Sequence, residues 1–345
     1  MRKLWDNKVS RRKLLGGAAA TGAALPVLHE LIPHQGLHGG TSAAQAAVEH
    51  HHLAHRGSGH LGAVGRVDHG RNGFDPQEIL RDFDEGVVRG GVREWEIVAE
   101  DRELEVAPGV KYAAWAYNGR VPGPTLRARE GERLRIRFVN GSKHPHTIHF
   151  HGIHRDLSDG IPGIGAGNIE AGGSTTYEFD ATPFGLHLYH CHSTPLAEHI
   201  AKGLYGAFII DPKNGRPAAD ELVMVMNGFD TNFDRSNEVY AVNTVAFAYM
   251  DEPVQVKRGE LVRIYLVNAL EFDPLNSFHI HANFFDYYPT GTRLEPRDFT
   301  DTVIQGQGER GILELRFPYT GRYMFHAHVS EFAELGWMGF FEVTD

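Results

Sequence analysis

Arg129-Glu-Gly-Glu-Arg-Leu-Arg-Ile-Arg-Phe-Val-Asn140 and Lys257-Arg-Gly-Glu-Leu-Val-Arg-Ile-Tyr-Leu-Val-Asn268 are close copies of one another. In the first copy Leu134, Ile136 and Phe138 alternate with Arg133, Arg135 and Arg137, the period-two pattern of a strand with one buried face. Two further blocks recur downstream in the same order. His149-Phe-His151 is answered by His279-Ile-His281, and Gly185-Leu-His-Leu-Tyr-His-Cys-His192 by Gly321-Arg-Tyr-Met-Phe-His-Ala-His328. Three blocks in one order at a nearly constant offset mean a duplicated domain. From about Val92 onward, short apolar runs are punctuated by Gly, Pro and Asn, with no long helical period. Each copy is therefore expected to be an antiparallel β-sandwich.

A chain of 345 residues has room for two such domains. The expected spans are 90–213 and 214–345, divided where Pro-Lys-Asn-Gly-Arg-Pro, between Asp211 and Asp220, reads as a linker. Upstream, Ser10-Arg-Arg-Lys-Leu-Leu15 leads into a mild Ala- and Gly-rich run ending near Leu28. Residues 1–45 resemble a twin-arginine export signal, which implies a periplasmic or extracellular protein. The run is too short and too rich in glycine to span a membrane, so no span is expected in the mature form. Residues 29–69 hold nine histidines without strand or helix periodicity. The stretch 46–89 reads as a flexible linker or N-terminal extension, with a weak copper-gathering tail as the alternative. The formal net charge of -10 argues against a nucleic-acid partner.

There are 22 histidines and a single cysteine, Cys191, which excludes an intrachain disulfide framework. Each repeat carries two His-x-His pairs. On a strand, residues two apart face the same side, so each pair can converge on one metal or on two adjacent metals. Cys191 lies inside His190-Cys191-His192 and points to the opposite face. It addresses a different site while remaining covalently next to both histidines. A blue-copper site takes two imidazoles, one thiolate and a weak axial group. His146 and His199 are the candidate imidazoles, and Leu204 stands at the axial position.

These residues resemble the multicopper oxidase family, in its two-domain, laccase-like branch. The family pattern His-x-x-His-x-His-Gly appears as His146-Thr-Ile-His149-Phe-His151-Gly152. His-Cys-His, then His, Gly and an axial Leu or Met, appears as His190-Cys191-His192, His199, Gly203 and Leu204. The resemblance spans roughly residues 90–345. It implies an all-β chain of two tandem cupredoxin-like Greek-key β-sandwiches, and about four coppers per chain: one type 1, one type 2 and two type 3. Carried over by position, His146, Cys191 and His199 hold the type 1 copper, with Leu204 axial and non-coordinating. His149 and His279 hold type 2. His151, His190, His192, His281, His326 and His328 hold the type 3 pair. In the second repeat Ala327 replaces the cysteine, Asn276 replaces His146, and the loop Val329–Met338 has no histidine, so only the first domain is expected to hold a type 1 copper.

The same resemblance implies one-electron oxidation of a small-molecule or metal-ion reductant, phenols by default, coupled to four-electron reduction of O2 to water. It further implies a homotrimer whose copper cluster lies between subunits. Asp159 resembles the family's acidic residue near the type 2 copper, a tentative proton relay, and otherwise reads as a turn aspartate. Electrons are expected to enter at an exposed edge of His199 or His146 and to pass through Cys191 to His190 and His192. His144, His154 and His187 fall outside the ligand pattern and read as surface or packing residues. Glu331 and Glu334 read either as proton relays or as solvated loop charges. The alternatives are a copper nitrite reductase, whose family has an aspartate where His149 stands, a cuprous or ferrous oxidase, and a non-enzymatic electron-transfer protein. With only six methionines and no Met-rich run, the cuprous case is weak.

Overall fold

The Arg133–Asn140 strand buries Leu134, Ile136 and Phe138 and turns its arginines outward, as its alternation requires. The computed structural model describes residues 65–345. The twin-arginine stretch and the histidines before Gly65 lie outside the described residues. Arg135 pairs with Glu94 at 2.6 Å and with Glu178 at 2.7 Å on the flanking strands. Arg133 reaches Glu178 and Asp180, and Arg137 pairs with Glu96. Each exposed pair contributes little alone. Together they favour one register, because a slip by one residue would turn the arginines inward.

Residues from Phe83 to Asp211 form two facing sheets. One orders Val87–Arg89, Val92–Ala107, Arg133–Asn140 and Ser174–Asp180, with Val110–Tyr117 also paired to Val92–Ala107. The other orders Phe83–Asp84, Thr125–Arg129, Tyr205–Asp211, Gly185–His190 and His149–Phe150. Residues from Asp220 to Thr344 repeat the plan. Tandem cupredoxin-like β-sandwiches are thus the fold. The sheets are not antiparallel throughout, contrary to what the sequence pattern suggested. Val92–Ala107 runs parallel to Arg133–Asn140, and Thr125–Arg129 parallel to Tyr205–Asp211. Asp220–Phe229 with Val262–Asn268, and Val254–Lys257 with Met338–Thr344, do the same in the second repeat. The chain crosses to the opposite sheet between these strands and returns in the same direction, and hairpin logic does not cover such crossings.

Three apolar clusters result. One fills the first sandwich around Phe138, Phe150 and Tyr189, and another fills the second around Ile264, Phe278 and Trp337. The third lies between the sandwiches, where Val223, Val225, Tyr265 and Ile312 meet Val106, Tyr112, Leu186 and Leu188. This explains why the repeated strand is not copied faithfully. Where Arg137 faces solvent, Tyr265 is buried against the other domain. Arg263, the counterpart of Arg135, is 2% exposed and joins Glu314 at 2.6 Å and Glu221 at 2.8 Å. Arg127 of the first sandwich completes the group, 2.6 Å from Glu221. Burial alone would raise the Glu221 pKa, and hydrogen bonds from Arg127, Tyr265 and Arg263 reverse this and hold it low.

The described part of the 46–89 stretch is built into the fold and does not act as a linker. Short helices cover His69–Asn72 and Pro76–Ile79, Ile79 and Leu80 are fully buried, and Leu80 enters the second sandwich's core. Phe74, Ile79 and Leu80 pack into the cores and Asn72 exchanges hydrogen bonds with the Glu105 backbone, scattered contacts that do not register as periodicity.

Candidate metal centre

Cys191 follows the Gly185–His190 strand, its N–H donating to the Leu204 carbonyl at 2.9 Å. Its side chain lies in the first sandwich's core beside Leu204, opposite to the two flanking histidines. His146 is fixed by backbone hydrogen bonds in both directions with Ile169. The Leu196–Ala201 helix presents His199 from its buried side. The structure brings these three residues together. His146 Nδ1 and His199 Nδ1 are 3.1 Å apart, and Cys191 Sγ lies 3.2 Å from His199 Nδ1 and 3.9 Å from His146 Nδ1. A point equidistant from the three donor atoms is therefore about 2.0 Å from each, the length of a metal–imidazole bond and slightly under that of a metal–thiolate bond.

Electrostatics suit the same purpose. Burial lowers the pKa of His146 to about 3 and of His199 to about 4, so both imidazoles offer a lone pair at neutral pH. Burial pushes the Cys191 thiol up, partly offset by N–H groups of Ser193 and Thr147. Metal binding displaces that proton. His146 Nε2 donates to Ser142 Oγ at 3.0 Å, and the Ser142 hydroxyl donates to Asp101 at 2.8 Å, so Nδ1 is left for the metal. Leu204 is fully buried and offers no donor atom.

The remaining ligand candidates form two matching quartets. In the first, His149 pairs with His190 across the strands, and the ligand nitrogens of His149, His151 and His190 lie within 4.8 Å of one another. The His192 ring is 5.4 Å from that of His149. In the second, His279 pairs with His326, and His279, His281 and His326 form the same group. The His328 ring is 5.2 Å from that of His279. Tautomers are set alike in both. His149 Nδ1 donates to the Asp159 carbonyl at 2.8 Å, and His279 Nδ1 faces the Asp301 carbonyl at 3.0 Å and Thr302 Oγ1 at 2.8 Å. His190 Nδ1 donates to the Cys191 carbonyl at 2.8 Å, and His326 Nδ1 to the Ala327 carbonyl at 2.6 Å. That leaves Nε2 of each free for a metal, and the Nε2 pairs His151–His190 and His281–His326 approach to 2.8 and 3.0 Å. Burial lowers the pKa of His190 to about 4 and also lowers those of His281 and His326. Two nitrogens and one sulfur with no strong axial donor, beside two imidazole-only groups, fit copper.

The remaining candidates lie around this frame. His154 packs at the edge of the first quartet: its Nε2 lies 3.4 Å from Asp159 and its ring 5.1 Å from that of His149. The Asp159 carboxylate also lies 2.8 Å from His149 Nδ1. His187 is buried, with ring nitrogens facing the carbonyls of Pro183 and His151. Glu331 and Glu334 are exposed on the short helix Ser330–Glu334. His146 and His199 are both almost wholly buried: the first is 0% and the second 3% exposed. The Trp115 ring contacts both, edge to ring with His146 at 5.0 Å and tilted against His199 at 4.8 Å, and no motif pointed to it. Thr147 was legible. Its hydroxyl accepts from His192 N–H at 2.9 Å as Ser277 accepts from His328 N–H at 2.8 Å, and the two hydroxyl residues stand at matching places in the repeats.

Comparison with known proteins agrees with this construction. Family models described as multicopper oxidase match residues 99–215 and 216–345. The chain is 65% identical to a multicopper oxidase of known crystal structure, covering 81% of this chain and all of that one, with a TM-score of 0.79. It is 28% identical to the blue copper oxidase from Nitrosomonas europaea, covering 73% of this chain and 86% of that one, with a TM-score of 0.66. It is 31% identical over 250 residues to the copper-containing nitrite reductase of Neisseria gonorrhoeae, a match covering 66% of this chain but only 62% of that protein. On the two family models, the shared fold and the paired histidine groups, the chain belongs to the multicopper oxidases, a family of copper-dependent oxidoreductases.

Proposed function

We propose that the chain is a laccase-like oxidase that takes single electrons from phenolic or similar donors and reduces O2 to water. The observation that carries this reading is the second histidine quartet. His279, His281, His326 and His328 repeat the first quartet with the same nitrogens presented. A protein needing only electron storage at Cys191 has no use for eight further imidazoles. Nitrite reduction is the second reading, favoured by the curated relative from Neisseria. Against it, an imidazole, not a carboxylate, stands at His149.

His146, Cys191 and His199 would hold one copper, the type 1 ion, and the two quartets would together hold one type 2 and two type 3 ions. Bound copper would supply reversible one-electron redox chemistry. The chain's own residues do the rest. Ser142 and Asp101 orient His146, while the Asp159 and Asp301 carbonyls orient His149 and His279. The Asp159 carboxylate, between His149 and His154, is placed to hold a proton at the edge of the first quartet. The peptide from Cys191 to His190 and His192 gives a short covalent path between the two kinds of site.

Among the described residues, no ring contact or ligand group joins a histidine of one quartet to one of the other. Exposed Leu157 and Ile164 flank the first quartet in sequence, and exposed Phe284, Phe299 and Ile304 the second. We infer that the quartets meet between neighbouring copies. A head-to-tail contact can close into a ring, and the resemblance to two-domain multicopper oxidases implies that this ring is a homotrimer. No described helix is long and apolar enough to cross a membrane, and the twin-arginine stretch supports export. Metal analysis should give about four coppers per chain, with oxygen uptake driven by hydroquinone in the trimeric fraction only. Two coppers per chain, no oxygen uptake and turnover of nitrite would sink the oxidase reading.

A further inference from the structure

Electrons need a way into a site whose two imidazoles are buried. Trp115 lies on the Val110–Tyr117 strand and is itself only 8% exposed. One side of its indole meets His146 and His199, and the same ring lies 4.8 Å from the ring of His144, which faces solvent. Its position is held from behind. Trp115 N–H donates to the Lys202 carbonyl at 2.9 Å, and the Lys202 ammonium, 3.1 Å from the Ala113 carbonyl, lies 5.2 Å from the indole centroid. No other aromatic ring among the described residues contacts both imidazoles and an exposed group.

We propose that Trp115 is the electron-entry residue of this protein. The inference rests on the copper reading of the Cys191 site. A donor meets the surface at His144 and the indole edge and is oxidised by one electron. The electron crosses the conjugated ring to His146 or His199 and reduces the site by one. A phenolic donor also releases its proton, to water. Trp115 is unchanged at the end. The Lys202 ammonium beside the ring disfavours a positive charge on it, so the indole bridges donor and site and does not store the hole.

The test uses the copper-loaded full chain, Trp115→Leu and Trp115→Phe. Each is mixed anaerobically with hydroquinone in a stopped-flow instrument, and the copper–thiolate absorption is followed. Trp115→Leu should slow its bleaching by about tenfold or more, with the band position, reduction potential and copper content unchanged; Trp115→Phe, which keeps a ring, should fall between. A second readout needs no donor. Copper loading should shorten one tryptophan fluorescence lifetime in the wild type, and that component should be missing from Trp115→Phe. Wild-type bleaching in Trp115→Leu overturns the proposal, and so does faster bleaching, which would make the indole a shield. If Trp115→Leu fails to hold copper, persistence of the shortened lifetime in Trp115→Phe overturns it alone. Absence of the copper–thiolate band from the wild type would instead defeat the copper reading.

Discussion

Cys191 and Ala327 occupy the same place in the two sandwiches, yet one pocket gathers two imidazoles around a thiol and the other is filled by an indole. The frames agree closely. Cys191 N–H donates to the Leu204 carbonyl at 2.9 Å, and Ala327 N–H to the Trp337 carbonyl at 3.1 Å. Thr147 matches Ser277, and His146 matches Asn276. What differs is the filling. In the first domain Leu204 lies in the core with the Cys191 thiol, which His146 and His199 approach. In the second the Trp337 indole packs 5.9 Å from Phe278 and 5.8 Å from Phe325, ring to ring. Asn276 Nδ2 and Trp337 Nε1 are buried there without a hydrogen-bond partner. One frame thus supports either a polar site that a metal satisfies or an apolar plug that leaves two donors unmet.

The largest effect should come from giving the first pocket the second pocket's residue. Cys191→Ala removes the only thiolate, so the copper–thiolate absorption and hydroquinone-driven oxygen uptake should vanish, with the fold retained to within about 1 kcal/mol. Ala327 already shows that alanine is accommodated at this place in the frame. A blue absorption persisting in Cys191→Ala would end the assignment. Next in size is the plug itself. Trp337 is fully buried, and Trp337→Ala should destabilise the protein by about 3–5 kcal/mol in denaturant unfolding, since the surrounding rings cannot close the space. A loss well under 1 kcal/mol would show that the second pocket is not held up by its indole.

How far these pockets were legible follows from what each signal encodes. Period-two alternation and the repeated His-x-His pairs report which face a residue takes, so the sandwich, both quartets and the separation of Cys191 from His190 and His192 could all be read. Strand direction is not in that signal, and the parallel pairs were missed. The interdomain core was half visible, in Tyr265 standing where the first copy has Arg137. Trp115 lies on a strand far from His146 in sequence, and only folding sets it against the imidazoles. Trp337 was visible only as part of a loop lacking histidine. A side chain that substitutes for a metal by volume leaves no motif.

A subtler change asks whether the axial position in the first pocket is truly empty. Leu204 has no donor atom, so a copper held by His146, Cys191 and His199 would gain no further protein ligand from it, which would favour the reduced form. Leu204→Met supplies a thioether at similar volume, so stability should change little. The reduction potential of the copper at Cys191 should fall, as followed by the copper–thiolate absorption in a redox titration. An unchanged or higher potential would mean that position 204 does not face the metal.

The smallest effect lies at Asn276, and it tests whether the second pocket keeps any polar role. In the first domain the matching His146 is a proposed metal ligand, and His146→Leu should empty the site. In the second, Asn276 Oδ1 accepts from Ser277 N–H at 2.8 Å while Nδ2 is buried and unpaired. Asn276→Leu loses one hydrogen bond, worth about 1 kcal/mol, and removes an orphan donor whose desolvation costs a similar amount. The two terms oppose each other, so unfolding stability should stay within about 1 kcal/mol of wild type, and copper content should not change. A loss of 3 kcal/mol or so would mean that a buried water or ion satisfies Nδ2, and that the second pocket is a polar site after all.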